Sequence, residues 1–374
     1  MSHHDTSRTA GLIGLDWGTT SLRAYRMDAA GRVLETRQRP WGIMRLPQVS
    51  EGLAAPGAGF ELAFTETCGD WLDAAPNLPV IACGMVGSAQ GWKEAAYLDV
   101  PLPLTQIGTR LTVIERQGPT WRTPVHVVPG LIQRQGLPNV MRGEETQVLG
   151  AVAGLGETWT DGELLVGLPG THSKWVSVSP GSAPGHADRG NQAAQGNEGS
   201  DGAIVSRFET FMTGEVYAAL RDHTILGRTM SAAVTPNGAP NGADWAAFER
   251  GLRVAAEPEG AAGPLSTIFS TRTLGLTGAL PPTAQGDYLS GLLIGHEVAA
   301  LAGLLRARAA RSPQSARPRI LLCGEPDLCH RYTLALQRHG LPEPTRAEHA
   351  TERGLWRLAL AAGLVQAAPA HTTP

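Results

Sequence analysis

The 374-residue sequence predicts an α/β protein of two domains, each opening with the same strand–turn–strand–strand unit. Three observations carry this. Short apolar runs alternate with helix-length periodic segments along the chain. The element Gly-Thr-x-Ser occurs at Gly18 and again at Gly170, each time between an apolar run and an alternating one, which reads as an internal duplication. The length also suits two domains of roughly 100–200 residues each.

Leu12–Leu15 is a short apolar strand that delivers Asp16. Gly18–Ser21 is turn chemistry, Leu22–Met27 alternates as a half-buried strand, and Val33–Arg37 makes a third. A helix is expected over Phe60–Ala74, then a buried strand Pro79–Cys83, a glycine-rich loop Gly84–Trp92 and a strand Val125–Val128 stopped by Pro129-Gly130. Glu144–Ala153 reads as a helix with Val148, Leu149 and Val152 on one face. The opening pattern then returns as strand Leu164–Leu168, turn Gly170–Ser173, strand Lys174–Ser179 and strand Ala203–Phe208, with a helix near Gly214–Arg221. A long helix Leu289–Leu305 carries Gly291 and Gly295 one turn apart, spacing that suits close packing. Arg319–Cys323 is a last strand delivering Gly324-Glu325, and helices follow at Leu328–Gln337 and within Gly354–Ala368. The domains are read as 11–162 and 163–374 after a flexible tail 1–10. Pro180–Gly202 forms a mobile polar insert, and shorter loops lie at Thr235–Ala243 and Arg311–Pro318.

Composition narrows the function. Lys plus Arg number 31 against 34 Asp plus Glu, a net charge of −3, so a basic nucleic-acid footprint is not expected. The four cysteines form no CxxC pair and read as small core residues of a cytoplasmic protein. No signal peptide or membrane span is expected. GxxxxGK[ST], GxGxxG after a strand, HRD with DFG, HExxH and GxSxG are all missing from the sequence.

Two polar turns at strand ends remain. Gly18, Thr19, Thr20 and Ser21 in one, and Gly170, Thr171, His172 and Ser173 in the other, offer close backbone, N–H donors and hydroxyls to phosphate. Lys174 adds a positive charge, and Asp16 is placed to hold Mg²⁺ through water. Two such turns, one per domain, point to a nucleotide in an interdomain cleft. Glu144 and Glu145 at a helix start either cap its dipole or supply a base that takes a proton from an alcohol. In the loop Cys83–Trp92, Met85, Ser88, Gln90 and Trp92 suit a small polyhydroxylated ligand; a plain glycine-rich turn is the competing reading.

Taken in order, Asp16–Arg23, Cys83–Ser88, Met141–Gln147 (MRGEETQ), Leu168–Trp175, Phe211–Glu215 and Tyr288–Glu297 resemble the 2-dehydro-3-deoxygalactonokinase family. The resemblance implies two ribonuclease-H-like (actin-like ATPase) domains closing over ATP and Mg²⁺. It implies phosphorylation of the 6-hydroxyl of 2-dehydro-3-deoxy-D-galactonate in galactonate breakdown. Asp16–Ser21 and Gly170–Lys174 match the two phosphate motifs, and Gly324-Glu325 the place of the adenosine motif. Glu144, with Glu145 close behind, takes the place of the base. Arg23, Lys93, Arg142 and Arg272 are the candidate cations for the substrate carboxylate. Asn139, Ala89 and Ala96 stand where the family is expected to carry Asp, Arg and Pro. Two other readings stay open at this point: a phosphohydrolase of the same superfamily, exopolyphosphatase-like, and a non-catalytic nucleotide or sugar sensor.

Overall fold

The computed structural model describes residues 10–49, 56–116, 122–156, 159, 162–181, 202–231, 242–311 and 317–367. The tail, the insert 180–202 and the loops at 235–243 and 311–318 lie wholly or mostly outside these residues.

Packing divides the chain into two units: Met1–Asp161 with Val178–Arg207 and Glu348–Pro374, and Gly162–Ser177 with Phe208–Ala347. This differs from a single cut near residue 162. The chain returns to the first unit twice, and its last helix is packed there.

The first unit has strands β1 (Ala10–Trp17), β2 (Leu22–Asp28), β3 (Val33–Arg39), β4 (Val80–Cys83), β5 (Tyr97–Asp99), β6 (Leu102–Pro103), β7 (Thr112–Ile114), β8 (Val125–Val127), β9 (Gly130–Gln133) and β10 (Asn139–Met141). The main sheet runs β3-β2-β1-β4-β8-β7. β1 is antiparallel to β2 and parallel to β4, and β4 is parallel to β8. A three-strand meander followed by parallel strands is the ribonuclease-H-like order that the resemblance implies. Helix α1 (Ala58–Ala74) buries Phe60, Phe64, Trp71 and Leu72 against Ile13, Leu15, Trp17 and Val80 of this sheet. A second sheet, β10-β9-β5, was not foreseen. Its strands of three or four residues are too short for a period to register.

Helix α2 (Glu144–Ala153) crosses the C-terminal helix Ala350–Ala361 at glycines. A methyl group on Gly150 would overlap the Ala350 carbonyl oxygen, and one on Gly354 the Thr146 carbonyl oxygen. Gln147 Nε2 donates to Thr351 Oγ1 at 3.2 Å, and Arg353 Nη1 donates to the Gly150 carbonyl at 3.0 Å.

The second unit repeats the plan. Strands β11 (Leu164–Leu168), β12 (Ser173–Ser179), β13 (Ile204–Phe211), β14 (Arg319–Leu322) and β15 (Thr345–Arg346) lie in the order β15-β14-β11-β12-β13, with β11 parallel to β14. Residues Ile204 and Val205, at the start of β13, pair with β6 and belong to the first unit. The longer helices of the unit are α3 (Thr213–His223), α4 (Trp245–Ala256), α5 (Gln285–Ala309) and α6 (Pro326–Arg338). Phe248 and Leu252 of α4, Val298 and Leu301 of α5 and Tyr332 and Leu336 of α6 pack on Leu165, Trp175 and Ile320. α5 is long and apolar enough to cross a membrane, but 67% of that apolar window is buried inside the fold, as befits a core helix. α4, which the sequence reading did not assign, presses on α5: a methyl on Gly291 would overlap the Phe248 carbonyl.

Candidate active site

In the first unit, β1 and β4 end side by side. Asp16 is in register with Cys83 of β4 and with Arg23 of β2. Both strands therefore deliver their loops at one sheet edge, the usual ligand edge of a parallel sheet. The turn after β1 closes with the Gly18 N–H donating to the Ser21 carbonyl at 2.9 Å, leaving Thr19 and Thr20 exposed. It is braced by a segment without a sequence signal: the Ile43 N–H donates to the Gly18 carbonyl at 3.0 Å, and the Met44 N–H to that of Thr19 at 3.2 Å. Burial pushes the Asp16 carboxyl up against the pull of Arg23, and the charges of Glu352 and Glu144 push it further. Sequence reading missed Glu352, because its helix returns to this unit from the far end of the chain.

Three motifs meet here backbone to backbone. Gly84 and Gly143 have φ of 94° and 104°, in the region that favours glycine. A Cβ on Gly84 would come 2.7 Å from the Trp17 carbonyl oxygen, and one on Gly143 3.1 Å from the Gly84 Cα. Gly143 ends this junction and α2 begins with Glu144.

The two acids then separate. Glu145 is 0% exposed; its Oε2 accepts from the Gly143 N–H at 2.7 Å and its Oε1 from Thr146 Oγ1 at 3.2 Å. Burial, with the neighbouring Glu144 charge, pushes its carboxyl up to about 8. It braces the start of the helix from inside, and of the two acids it is the one closed off from solvent. Glu144 is only half-buried, with Oε2 accepting from the Arg142 N–H at 3.0 Å.

The loop after β4 is mixed. Met85 and Ser88 are half-buried and Gln90 is exposed. Trp92 turns inward: it stacks on Phe60 at 5.8 Å and meets the Trp17 ring edge-on, also at 5.8 Å. It is a half-buried ring packed on the core through these contacts. Lys93 donates from Nζ to the Val113 carbonyl at 2.7 Å at the surface. Arg142 is buried over the Tyr97 ring, 4.3 Å from its centroid.

In the second unit, Gly170, Thr171 and His172 form the turn between β11 and β12, with Thr171 and His172 exposed. A Cβ on Gly170 would meet nothing within 4 Å, so its backbone faces open space. The start of α3 braces the turn. The Glu215 N–H donates to the Thr171 carbonyl at 3.0 Å, and the Glu215 carboxylate pairs with His172 Nε2. Gly324 and Glu325 follow β14 on the same edge, with Gly324 beside Pro169 and Glu325 at the N-terminus of α6.

Two expected phosphate contacts turn inward instead. Lys174 is 5% exposed and donates from Nζ to Thr210 Oγ1 at 2.8 Å. Ser173 hydrogen-bonds the Tyr332 hydroxyl at 2.7 Å, and that hydroxyl donates to Glu297 Oε2, also at 2.7 Å. Glu297 further accepts from Trp175 Nε1 at 2.7 Å and from Thr213 Oγ1. Strand residues alternate faces, so Ser173 meets Tyr332 on one side of β12 and Lys174 meets Thr210 on the other. The His296-Glu297 stretch, without a role in the sequence reading, supplies the acceptor that ties β12, α3, α5 and α6 together.

The sequence matches the 2-keto-3-deoxy-galactonokinase family over residues 16–358. The chain belongs to this family. A probable 2-dehydro-3-deoxygalactonokinase, DgoK1, from Rhizobium meliloti (strain 1021) is 37% identical over 299 residues, 79% of this chain and 82% of that one. The 2-dehydro-3-deoxygalactonokinase of Escherichia coli (strain K12) is 34% identical over 294 residues, 78% and 81% of the two chains. A crystal structure of a candidate 2-dehydro-3-deoxygalactonokinase from Sinorhizobium meliloti superposes with a TM-score of 0.69 at 32% identity, covering 94% of this chain and 98% of that one. Membership favours the sugar-kinase reading over the phosphohydrolase and the sensor, and with it the actin-like ATPase fold. Each motif quoted from the sequence, from Asp16 to Glu297, falls inside the matched span.

Among the described residues no three His, Cys, Asp or Glu side chains gather as a metal cage. Asp16 nevertheless feels the charges of Glu144 and Glu352 with Arg23 opposing. That surplus of negative charge fits a divalent cation held largely by water and phosphate oxygens.

Proposed function

We propose that the protein transfers the γ-phosphoryl group of ATP to the 6-hydroxyl of 2-dehydro-3-deoxy-D-galactonate, with Mg²⁺ near Asp16. Family membership is the observation that carries this reading. The exposed Gly18–Thr20 and Gly170–His172 turns supply backbone and hydroxyl donors to the phosphates. Gly324 and Glu325 border the adenosine. Bound Mg²⁺ would neutralise charge on the β- and γ-phosphates.

Glu144 is the base. It is the one of the adjacent acids with solvent access, and its carboxylate is oriented by the Arg142 N–H. It takes the hydroxyl proton as the new O–P bond forms and the bond to the β,γ-bridging oxygen breaks. The sugar acid is the one for which the relatives at 37% and 34% identity are named.

A coupled ADP-release assay over a panel of 2-keto-3-deoxy sugar acids tests this. Turnover that needs the galactonate or its gluconate epimer supports the kinase. ADP release at the same rate with no sugar acid present would overturn it.

A further inference from the structure

We propose that Arg142, together with Ser88, holds the carboxylate of the sugar acid; this rests on the kinase reading above. Four cations were open from sequence. Lys93 is a surface side chain on the Val113 carbonyl. Arg272 lies in the second unit, its Nη1 3.5 Å from the Ile225 carbonyl at an exposed position. Arg23 faces Asp16 across β1 and β2, and its charge acts on that carboxyl.

Arg142 is different. It is 8% exposed, and Nη2 donates to the Ala95 carbonyl at 2.7 Å. Nε and Nη1 are buried and have no acceptor among the described residues. A guanidinium left with orphan donors away from water is costly. A carboxylate offers two oxygens in the geometry of its fork.

A second orphan lies in the loop after β4, at the residue that follows Gly87. Ser88 Oγ is buried and likewise lacks a partner among the described residues. Gly87 brings this loop against the guanidinium: a Cβ there would come 3.0 Å from Arg142 Nη1, so only glycine lets the loop approach so closely. The Tyr97 ring fixes the guanidinium plane from beneath.

The placement also suits the reaction. Arg142 precedes Glu144 by two residues, and its own N–H holds the Glu144 carboxylate. One strand-to-helix junction thus sets both the cation for one end of the substrate and the base for the hydroxyl at the other.

The test compares 2-dehydro-3-deoxygalactonate with its C1 carboxamide. Wild-type, Arg142→Gln, Arg142→Lys and Ser88→Ala proteins are used, each shown to be folded by ATP binding in calorimetry. Losing one partner of a buried, hydrogen-bonded charge pair should lower kcat/KM for the acid roughly 30-fold or more, through KM. The acid-over-amide preference of Arg142→Gln falls by the same factor, and Arg142→Lys restores part of it. Wild-type preference retained in Arg142→Gln overturns the assignment. If Arg142→Gln does not bind ATP, wild-type preference in both Arg142→Lys and Ser88→Ala overturns it. A wild-type enzyme that phosphorylates neither compound overturns the kinase reading itself.

Discussion

Glu144 and Glu145 sit side by side, yet their surroundings give them opposite work. The first helical residue keeps access to solvent, while the second turns under the helix and is closed off by Gly143 and Thr146. Removing the carboxylate in Glu144→Gln should lower kcat by about 10²–10⁴-fold with ATP binding retained, read from initial rates and calorimetry. Glu145 has a different signature. Its carboxyl is pushed up to about 8 from a usual 4.5, so between these values the folded protein holds a proton that the unfolded chain releases. The unfolded state binds fewer protons in that window, so stability falls as pH rises through it. Glu145→Gln should flatten this slope in urea titrations run from pH 5 to pH 8; an unchanged slope would assign the pH dependence to another group.

At the scale of elements, the loops of the site are held by packing behind them. The turn Gly170–His172 is open on one side, but its continuation, Ser173, is anchored through Tyr332 to Glu297. Glu297→Ala would leave the Trp175, Tyr332 and Thr213 donors without their acceptor. Each such buried group costs about 1–3 kcal/mol. The expected outcome is a lower Tm together with a raised KM for ATP, because the turn loses its support; a change in Tm alone would make the network purely structural. The start of α2 depends in the same way on the C-terminal helix. Gly150→Ala forces a methyl into the Ala350 carbonyl and should destabilise the full chain by about 1–3 kcal/mol in urea unfolding, as overpacked cores do.

For the molecule as a whole, chain order and packing differ. Residues Glu348–Pro374 follow the second unit in sequence and belong to the first. A chain ending at residue 347 would uncover α2, beside Glu144, and the apolar face carrying Leu149 and Val152. Such a truncation should abolish the cooperative melting of the first unit, followed by limited proteolysis of its fragments. Survival of that unit would show that the C-terminal helix is dispensable to its core. Ligand binding acts in the opposite direction: ATP at 100 times its Kd should stabilise the native state by about 2.7 kcal/mol.

The sequence by itself determined the α/β class, the duplicated strand–turn–strand–strand unit and the two glycine–threonine turns. These are local features: a period of two, a run of apolar residues, a glycine at a strand end. It also carried the family, because six motifs in order are legible without knowing their contacts. The tertiary structure alone decided which side chains at those motifs face outward. Lys174 and Ser173 look like phosphate ligands in one dimension and turn into the sheet in three. Trp92 reads as an open platform, and in three dimensions one of its faces stacks on Phe60. Glu352 joins Asp16 from 336 positions away in the chain, and Arg142 shows two orphaned donors only once Ala95, Gly87 and Tyr97 surround it. Burial and electrostatics depend on neighbours that are distant in the chain, and no local pattern records them.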